Sequence, residues 1–243
     1  MSKVKNIYQN NNSVLTDAFD KLAAEIYIKK QKEGYKSFEI CGTEPGVGST
    51  TTAISVAVSM AKAGWKVLLV DCDLRKRASE KRLNDDEIDG IADMLGGSAK
   101  SSEIICKTNY DNLSYVSSGH ASVNAISAVC SVSMKELMND IKDQFDFIIV
   151  DVPSIASSMD AAVVATITDT VILVTSQEKG YRMKAIAEAE EKIKSVGAKI
   201  SGIVVNHVEA GEYKRVVRNY DYFKKHKYIT KKGNTDKTGV KKG

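Results

Sequence analysis

Apolar residues recur along this chain at two spacings, and the alternation between them outlines a fold. Over residues 14–34, Leu15, Phe19, Leu22 and Ile26 fall at helical spacing, and Gly34 ends the pattern, which predicts an amphipathic helix. Phe38-Glu39-Ile40-Cys41-Gly42 reads as a short strand running into a Gly/Pro loop. A helix is predicted from about residue 50 to 63, closed by Gly64. Lys66-Val67-Leu68-Leu69-Val70-Asp71 is a continuous apolar run, as expected of a strand covered on both faces. Residues 147–150, 171–175 and 200–205 repeat that signature, and 112–117 reads as a further strand. Helical patterns at 133–144 and 182–196 lie between them. Strand and helix in alternation predict an α/β fold: a mostly parallel sheet with helices on both faces.

Composition adds a boundary to this picture. The 243 residues are 43% hydrophobic and 27% charged, enough for one large domain with a sizeable core. Residues 211–243 hold 11 Lys/Arg against 3 Asp/Glu, whereas residues 1–210 are net acidic. The expected organisation is therefore a domain over 1–210 and a flexible basic tail over 211–243. Such a tail suits the anionic inner membrane surface, an acidic partner, the body itself, or plain solvation. No apolar run reaches the roughly 18 residues of a membrane span, and MSKVKNIYQNNNS lacks the apolar segment of a secretory signal. The expected location is the cytoplasm. Cys41, Cys72, Cys106 and Cys130 form no CxxC pair, so neither a disulfide framework nor a zinc site is expected.

Candidate chemistry begins at Thr43-Glu44-Pro45-Gly46-Val47-Gly48-Ser49-Thr50-Thr51-Thr52, between a predicted strand and a predicted helix. Glycines allow backbone N–H groups to curl around phosphate oxygens, and the following helix N-terminus adds positive potential. The usual P-loop ends G-K-[ST], with the hydroxyl on magnesium. Here Thr50 occupies the hydroxyl position, with Thr51 beside it, and Ser49 stands where the lysine belongs. A charge-assisted hydrogen bond is worth roughly 1.5–3 kcal/mol, so the substitution bears directly on nucleotide affinity.

Carboxylates follow two of the buried strands: Asp71 and Asp73 in Val70-Asp71-Cys72-Asp73-Leu74-Arg75, and Asp151 in Val150-Asp151-Val152-Pro153. Carboxylates at strand ends hold Mg²⁺ and orient or deprotonate a nucleophile. The two prolines, Pro45 and Pro153, also sit just past strand C-termini, the edge where open parallel sheets bind ligands. Loop and aspartates on one sheet edge point to a nucleotide site of the P-loop NTPase type; the plainer alternatives are a structural Gly-rich turn and polar strand ends.

In detail the sequence resembles bacterial tyrosine kinases of the capsule and exopolysaccharide type, which are related to MinD and ParA. The apolar-DxDxR motif, Pro45 ahead of Gly46-Val47-Gly48, Gly90-Ile91-Ala92-Asp93-Met94-Leu95, Ser118-Gly119 with Asn124, Asp160-Ala161 with Asp169-Thr170-Val171, and Gly202-Ile203-Val204-Val205-Asn206 follow the family order over about residues 14–210. The resemblance implies ATP and Mg²⁺ as cofactors. It implies that Gly46, Val47 and Gly48 wrap the phosphates, within a nucleotide-binding set that also includes Pro45, Ser49 and Thr51. Thr50, Asp71 and Asp151 would serve the metal. Asp71 and Asp73 would be metal organiser and candidate base, Arg75 would touch phosphate, and Asn206 would read adenine.

The chain departs from the family in several places. The loop lysine is Ser49, the D-x-P-P motif is Asp151-Val152-Pro153-Ser154, and the E-x-x-R-x-x-R assembly stretch of the first helix is Asp17-Ala18-Phe19-Asp20-Lys21-Leu22-Ala23. The lysine position special to MinD and ParA is Glu44, which argues against that type. The family phosphorylates tail tyrosines, and Tyr220, Tyr222 and Tyr228 lie among lysines in this tail. The expected function is thus an autokinase regulating polysaccharide synthesis and export. The implied partners are a transmembrane chain-length or activator protein that recruits it to the inner face of the membrane, a cytoplasmic tyrosine phosphatase, and further copies of itself, with no specific nucleic acid. Two alternatives stand beside it: a weak or inactive nucleotide-binding regulatory subunit, and a MinD/ParA-like ATPase.

Overall fold

A computed structural model describes residues 4–7, 12–76, 81, 83, 88–120, 124–177, 183–209 and 211–213. The chain separates into two units, residues 1–207 and 208–243. In the first, eight strands form one sheet: β1 (Val4–Lys5), β2 (Ser37–Gly42), β3 (Val67–Asp71), β4 (Ile105–Thr108), β5 (Leu113–Val116), β6 (Phe147–Asp151), β7 (Thr170–Ser176) and β8 (Ile200–Asn206). Their spatial order is β1-β4-β5-β3-β6-β2-β7-β8, and every pairing is parallel except β4 with β5. The helices are α1 (Ser13–Glu33), α2 (Ser49–Lys62), α3 (Ile91–Leu95), α4 (Ala125–Val129), α5 (Val132–Lys142), α6 (Asp160–Val164) and α7 (Met183–Ser195). No helix among the described residues is long and apolar enough to cross a membrane.

Two cores flank the sheet. Side chains alternate along a strand, so Phe38 and Ile40 of β2 join Ala23 and Ile26 of α1 and most of α2 on one side. Leu68, Val70, Ile148 and Val150 meet α5, α6 and α7 on the other. The mostly parallel sheet with helices on both faces is as the apolar pattern predicted, and helix and strand limits agree to within a few residues.

The departures have physical causes. The last strand reads as doubly buried, yet β8 lies at the sheet edge with Ile203 42% and Val205 38% exposed. Its composition matches that of the central strands, and only topology sets it apart. Leu15, placed on the apolar stripe of α1, is 39% exposed, because that helix buries chiefly its middle, Ala23 and Ile26. The two-residue β1, strand β4 and the one-turn helices α3, α4 and α6 are too short to show a period.

Two segments named for their resemblance prove to be fasteners. Asp169 accepts hydrogen bonds from the Lys36 and Ser37 amides, each 2.8 Å, and from Lys142 Nζ at 2.9 Å, tying the start of β2 to that of β7. Burial alone would raise its carboxyl; Lys142 and these amides outweigh it and hold the pKa below the ordinary value. Gly90 docks against the chain beyond β5: a Cβ there would lie 2.2 Å from the Ser117 carbonyl oxygen and 2.4 Å from the Gly119 nitrogen. Gly90→Ala must push α3 off that backbone, and should destabilise the protein by at least about 2 kcal/mol in urea unfolding.

Candidate functional site

The crossover from β2 to β3 passes over β6, so the loop after β2 and the ends of β6 and β3 become neighbours on one sheet edge. Parallel register then sets Asp71 of β3 directly opposite Asp151 of β6. Pairing of Ile40 with the same Asp151 brings the β2 loop alongside. Thr50 and Thr51 from the first turn of α2, together with Asp71, Asp73 and Asp151, line a cavity of about 210 Å³ with an apolar floor of Ile54, Leu69 and Tyr115. The separate motifs singled out in the sequence therefore meet at one site.

The loop itself is a backbone cradle. Gly46 and Gly48 have φ of 75° and 90°, the left-handed region open to glycine. A Cβ on Gly48 would lie 2.1 Å from Asn206 Nδ2, which donates a 2.9 Å hydrogen bond to the Val47 carbonyl. The α2 N-terminus follows directly at Ser49. Its first-turn N–H groups and the left-handed glycines form a concavity suited to phosphate oxygens.

Asp71 and Asp151 face each other across neighbouring strands at this edge. Asp151 is buried, is hydrogen-bonded by Thr50, and leaves Oδ1 without a hydrogen-bond partner among the described residues. Burial, and then the Asp71 charge, push its pKa up to about 8. Asp71 Oδ1 accepts the Asp73 amide at 2.9 Å, and burial raises this carboxyl too, although Lys81 pulls it down. Two neighbouring carboxylates that repel one another without a cation, with the Thr50 hydroxyl beside them, are donors suited to a hard metal such as Mg²⁺. Asp73 lies next to them, with Oδ2 3.2 Å from Lys76 Nζ.

Two predicted residues are committed elsewhere. Arg75, expected on phosphate, forks onto Asp160, with Nε 2.5 Å from Oδ2 and Nη2 2.8 Å from Oδ1. Asp160 is buried at the start of α6, so this pair fastens the β3 end to that helix. Nε and Nη2 serve Asp160, so a phosphate would meet only the remaining N–H groups of Arg75. Asn206, expected on adenine, spends its Nδ2 on the loop. Tyr220, Tyr222 and Tyr228 lie outside the described residues.

Sequence reasoning missed Lys81. Its Nζ lies 2.6 Å from Asp71 Oδ2 and 2.6 Å from Ser118 Oγ, and its side chain is only 7% exposed. Ten residues separate it from Asp71, and no local motif marks it. Glu39 of β2 also went unremarked: among the described residues both its oxygens are buried without a hydrogen-bond partner, and burial pushes its carboxyl well up.

Parallel sheet, glycine loop and strand-end aspartates define an α/β domain of the P-loop NTPase type. Comparison with known proteins narrows the class. The AAA domain family AAA_31 matches residues 36–204. "Tyrosine-protein kinase CpsD" of Streptococcus pneumoniae serotype 4 is 33% identical over 198 residues, covering 79% of this chain and 87% of that protein. Among solved structures, the chimerical protein CapA2B2 superposes with a TM-score of 0.75 at 24% identity, over 85% of this chain and 95% of that one. The septum site-determining protein MinD from Pyrococcus horikoshii, complexed with Mg-ADP, does so with a TM-score of 0.60 at 23% identity, over 74% and 76%. The chain belongs to the AAA_31 domain family and to the family of bacterial tyrosine kinases of the CpsD type.

Proposed function

We propose that this protein is an ATP- and Mg²⁺-dependent tyrosine autokinase that regulates capsular or exopolysaccharide synthesis and phosphorylates Tyr220, Tyr222 and Tyr228 of its own tail. The observation that carries the reading is the convergence of Thr50, Asp71, Asp73 and Asp151 beside the glycine loop in one cavity.

Phosphoryl transfer needs positioning and charge neutralisation more than covalent chemistry from the protein. The backbone from Gly46 to Gly48 and the first turn of α2 bind and orient the phosphates. Thr50, Asp71 and Asp151 would hold Mg²⁺, and the ion would supply neutralisation of the charge that develops on the transferred group. Asp73, which lines the same cavity, would take the proton of an incoming tyrosine hydroxyl at a carboxylate oxygen. The apolar floor of Ile54, Leu69 and Tyr115 excludes water and so lowers competing hydrolysis.

Kinship with CpsD supports the tyrosine acceptor and the polysaccharide setting. A transmembrane activator protein as partner, recruitment to the inner membrane face and reversal by a tyrosine phosphatase belong to the same proposal. Ser49 in place of the loop lysine favours a second reading, a regulatory subunit that binds nucleotide weakly and does not transfer phosphate. Site mapping after incubation with Mg-ATP separates the two. The kinase reading expects phosphate on the tail tyrosines and none in a variant with Tyr220, Tyr222 and Tyr228 changed to Phe. An unphosphorylated tail, even with the activator's cytoplasmic segment added, favours the regulatory reading.

A further inference from the structure

Ser49 gives the loop a hydroxyl where nucleotide phosphates call for a cation, and it is turned inward: Ser49 Oγ lies 3.2 Å from the point where a Cβ on Gly42 would sit. The cavity nonetheless contains positive charge. Two of its lining residues are cationic, Lys76 and Lys81. Lys76 has a side chain 59% exposed, so solvent screens it, whereas that of Lys81 is 7% exposed. A buried ammonium acts through a lower effective dielectric and is worth more to a nearby anion.

We propose that Lys81 supplies a bound nucleoside triphosphate with the positive charge that the loop lacks at Ser49. Its position supports this in three ways. It lines the same cavity as Thr50 and Thr51, which belong to the first turn of α2. It is held by Ser118, itself buried just beyond β5, so the ammonium is placed by the fold rather than by solvent. A lysine ammonium carries three N–H donors, and among the described residues Asp71 and Ser118 take two, so that one can turn to a phosphate oxygen. Asp71, released to a metal ion, frees a second. The cation thus reaches the site from the chain after β3 instead of from the loop. The inference rests on the nucleotide site proposed above and adds the residue that completes it.

Calorimetric titration of the full chain with Mg-ATP tests it, using Lys81→Met, Lys81→Arg, Ser49→Lys and the double variant Ser49→Lys/Lys81→Met. Loss of one charge-assisted hydrogen bond predicts affinity roughly 10- to 100-fold weaker in Lys81→Met, with Lys81→Arg recovering much of it. Ser49→Lys alone should gain less than about threefold, because the charge is already supplied, yet should restore binding in the double variant; this non-additivity is the signature of a shared role. Lys81→Met binding as tightly as the unaltered protein, or more tightly, overturns the inference and makes Lys81 a mere counter-ion of Asp71. If Lys81→Met fails to fold by circular dichroism, Ser49→Lys alone decides, since a gain of about tenfold or more overturns the inference. If no protein in the series binds Mg-ATP, the nucleotide site itself falls, and this inference with it.

Discussion

Gly48→Ala should cost at least about 100-fold in Mg-ATP affinity while leaving the protein folded. Gly48 has φ of 90°, a conformation that costs an L-residue roughly 1–2 kcal/mol. Its added Cβ would lie 2.1 Å from Asn206 Nδ2, so Asn206 must swing away and give up the Val47 carbonyl. Both effects turn the loop's N–H groups away from the phosphates, and each lost charge-assisted bond is worth about 1.5–3 kcal/mol. Asn206→Ala in the same background relieves the clash but not the φ penalty, and should recover only part of the loss. Calorimetry with Mg-ATP, alongside a circular dichroism melt, gives the result; affinity within about threefold of the unaltered protein would contradict the cradle.

The second large effect is on stability against pH. Asp151 has a folded-state pKa raised to about 8 by burial and then by Asp71, against an ordinary carboxyl near 4 when unfolded. A raised carboxyl means that the folded chain binds more protons between those values. The contribution is therefore fully present below about pH 4, is lost as pH rises, and is gone above about pH 8. Between about pH 5 and about pH 8 the loss approaches ~4 kcal/mol, at ~1.36 kcal/mol per unit. Glu39, raised by burial, adds a slope of the same sign, so the test is a comparison. Urea unfolding of Asp151→Asn should show a markedly flatter pH dependence than that of the unaltered protein, and saturating Mg²⁺ should flatten the latter from the other side by favouring the ionised carboxylate. Parallel slopes with and without the substitution would mean that Asp151 titrates normally.

The central strands and the site edge were legible because burial on both faces leaves continuous apolar runs, and parallel strands end on polar residues at the ligand edge. Asp71, Asp151 and the glycine loop were found that way, and register set Asp71 opposite Asp151 as neighbouring strand ends allow. The edge position of β8 was not legible, since its run Ile203-Val204-Val205 has the same composition as a central strand and only chain topology exposes it. For Arg75 the family resemblance implied a phosphate contact, and the structure adds an ion pair that no motif announced. Its partner Asp160 lies 85 residues away, beyond the reach of any local pattern. Lys81 was invisible for the opposite reason: a lysine in a charged stretch looks like solvated surface until the fold closes Asp71 and Ser118 around it.

The central claim is that this cleft transfers phosphate from ATP to tyrosine, and intact mass measurement after incubation with Mg-ATP tests it most directly, with Asp71→Ala as control. The account predicts added phosphate on the unaltered protein, carried by tail tyrosines, and none on a folded Asp71→Ala chain. Equal phosphate on both, or none on either when the activator's cytoplasmic segment is present, would contradict it.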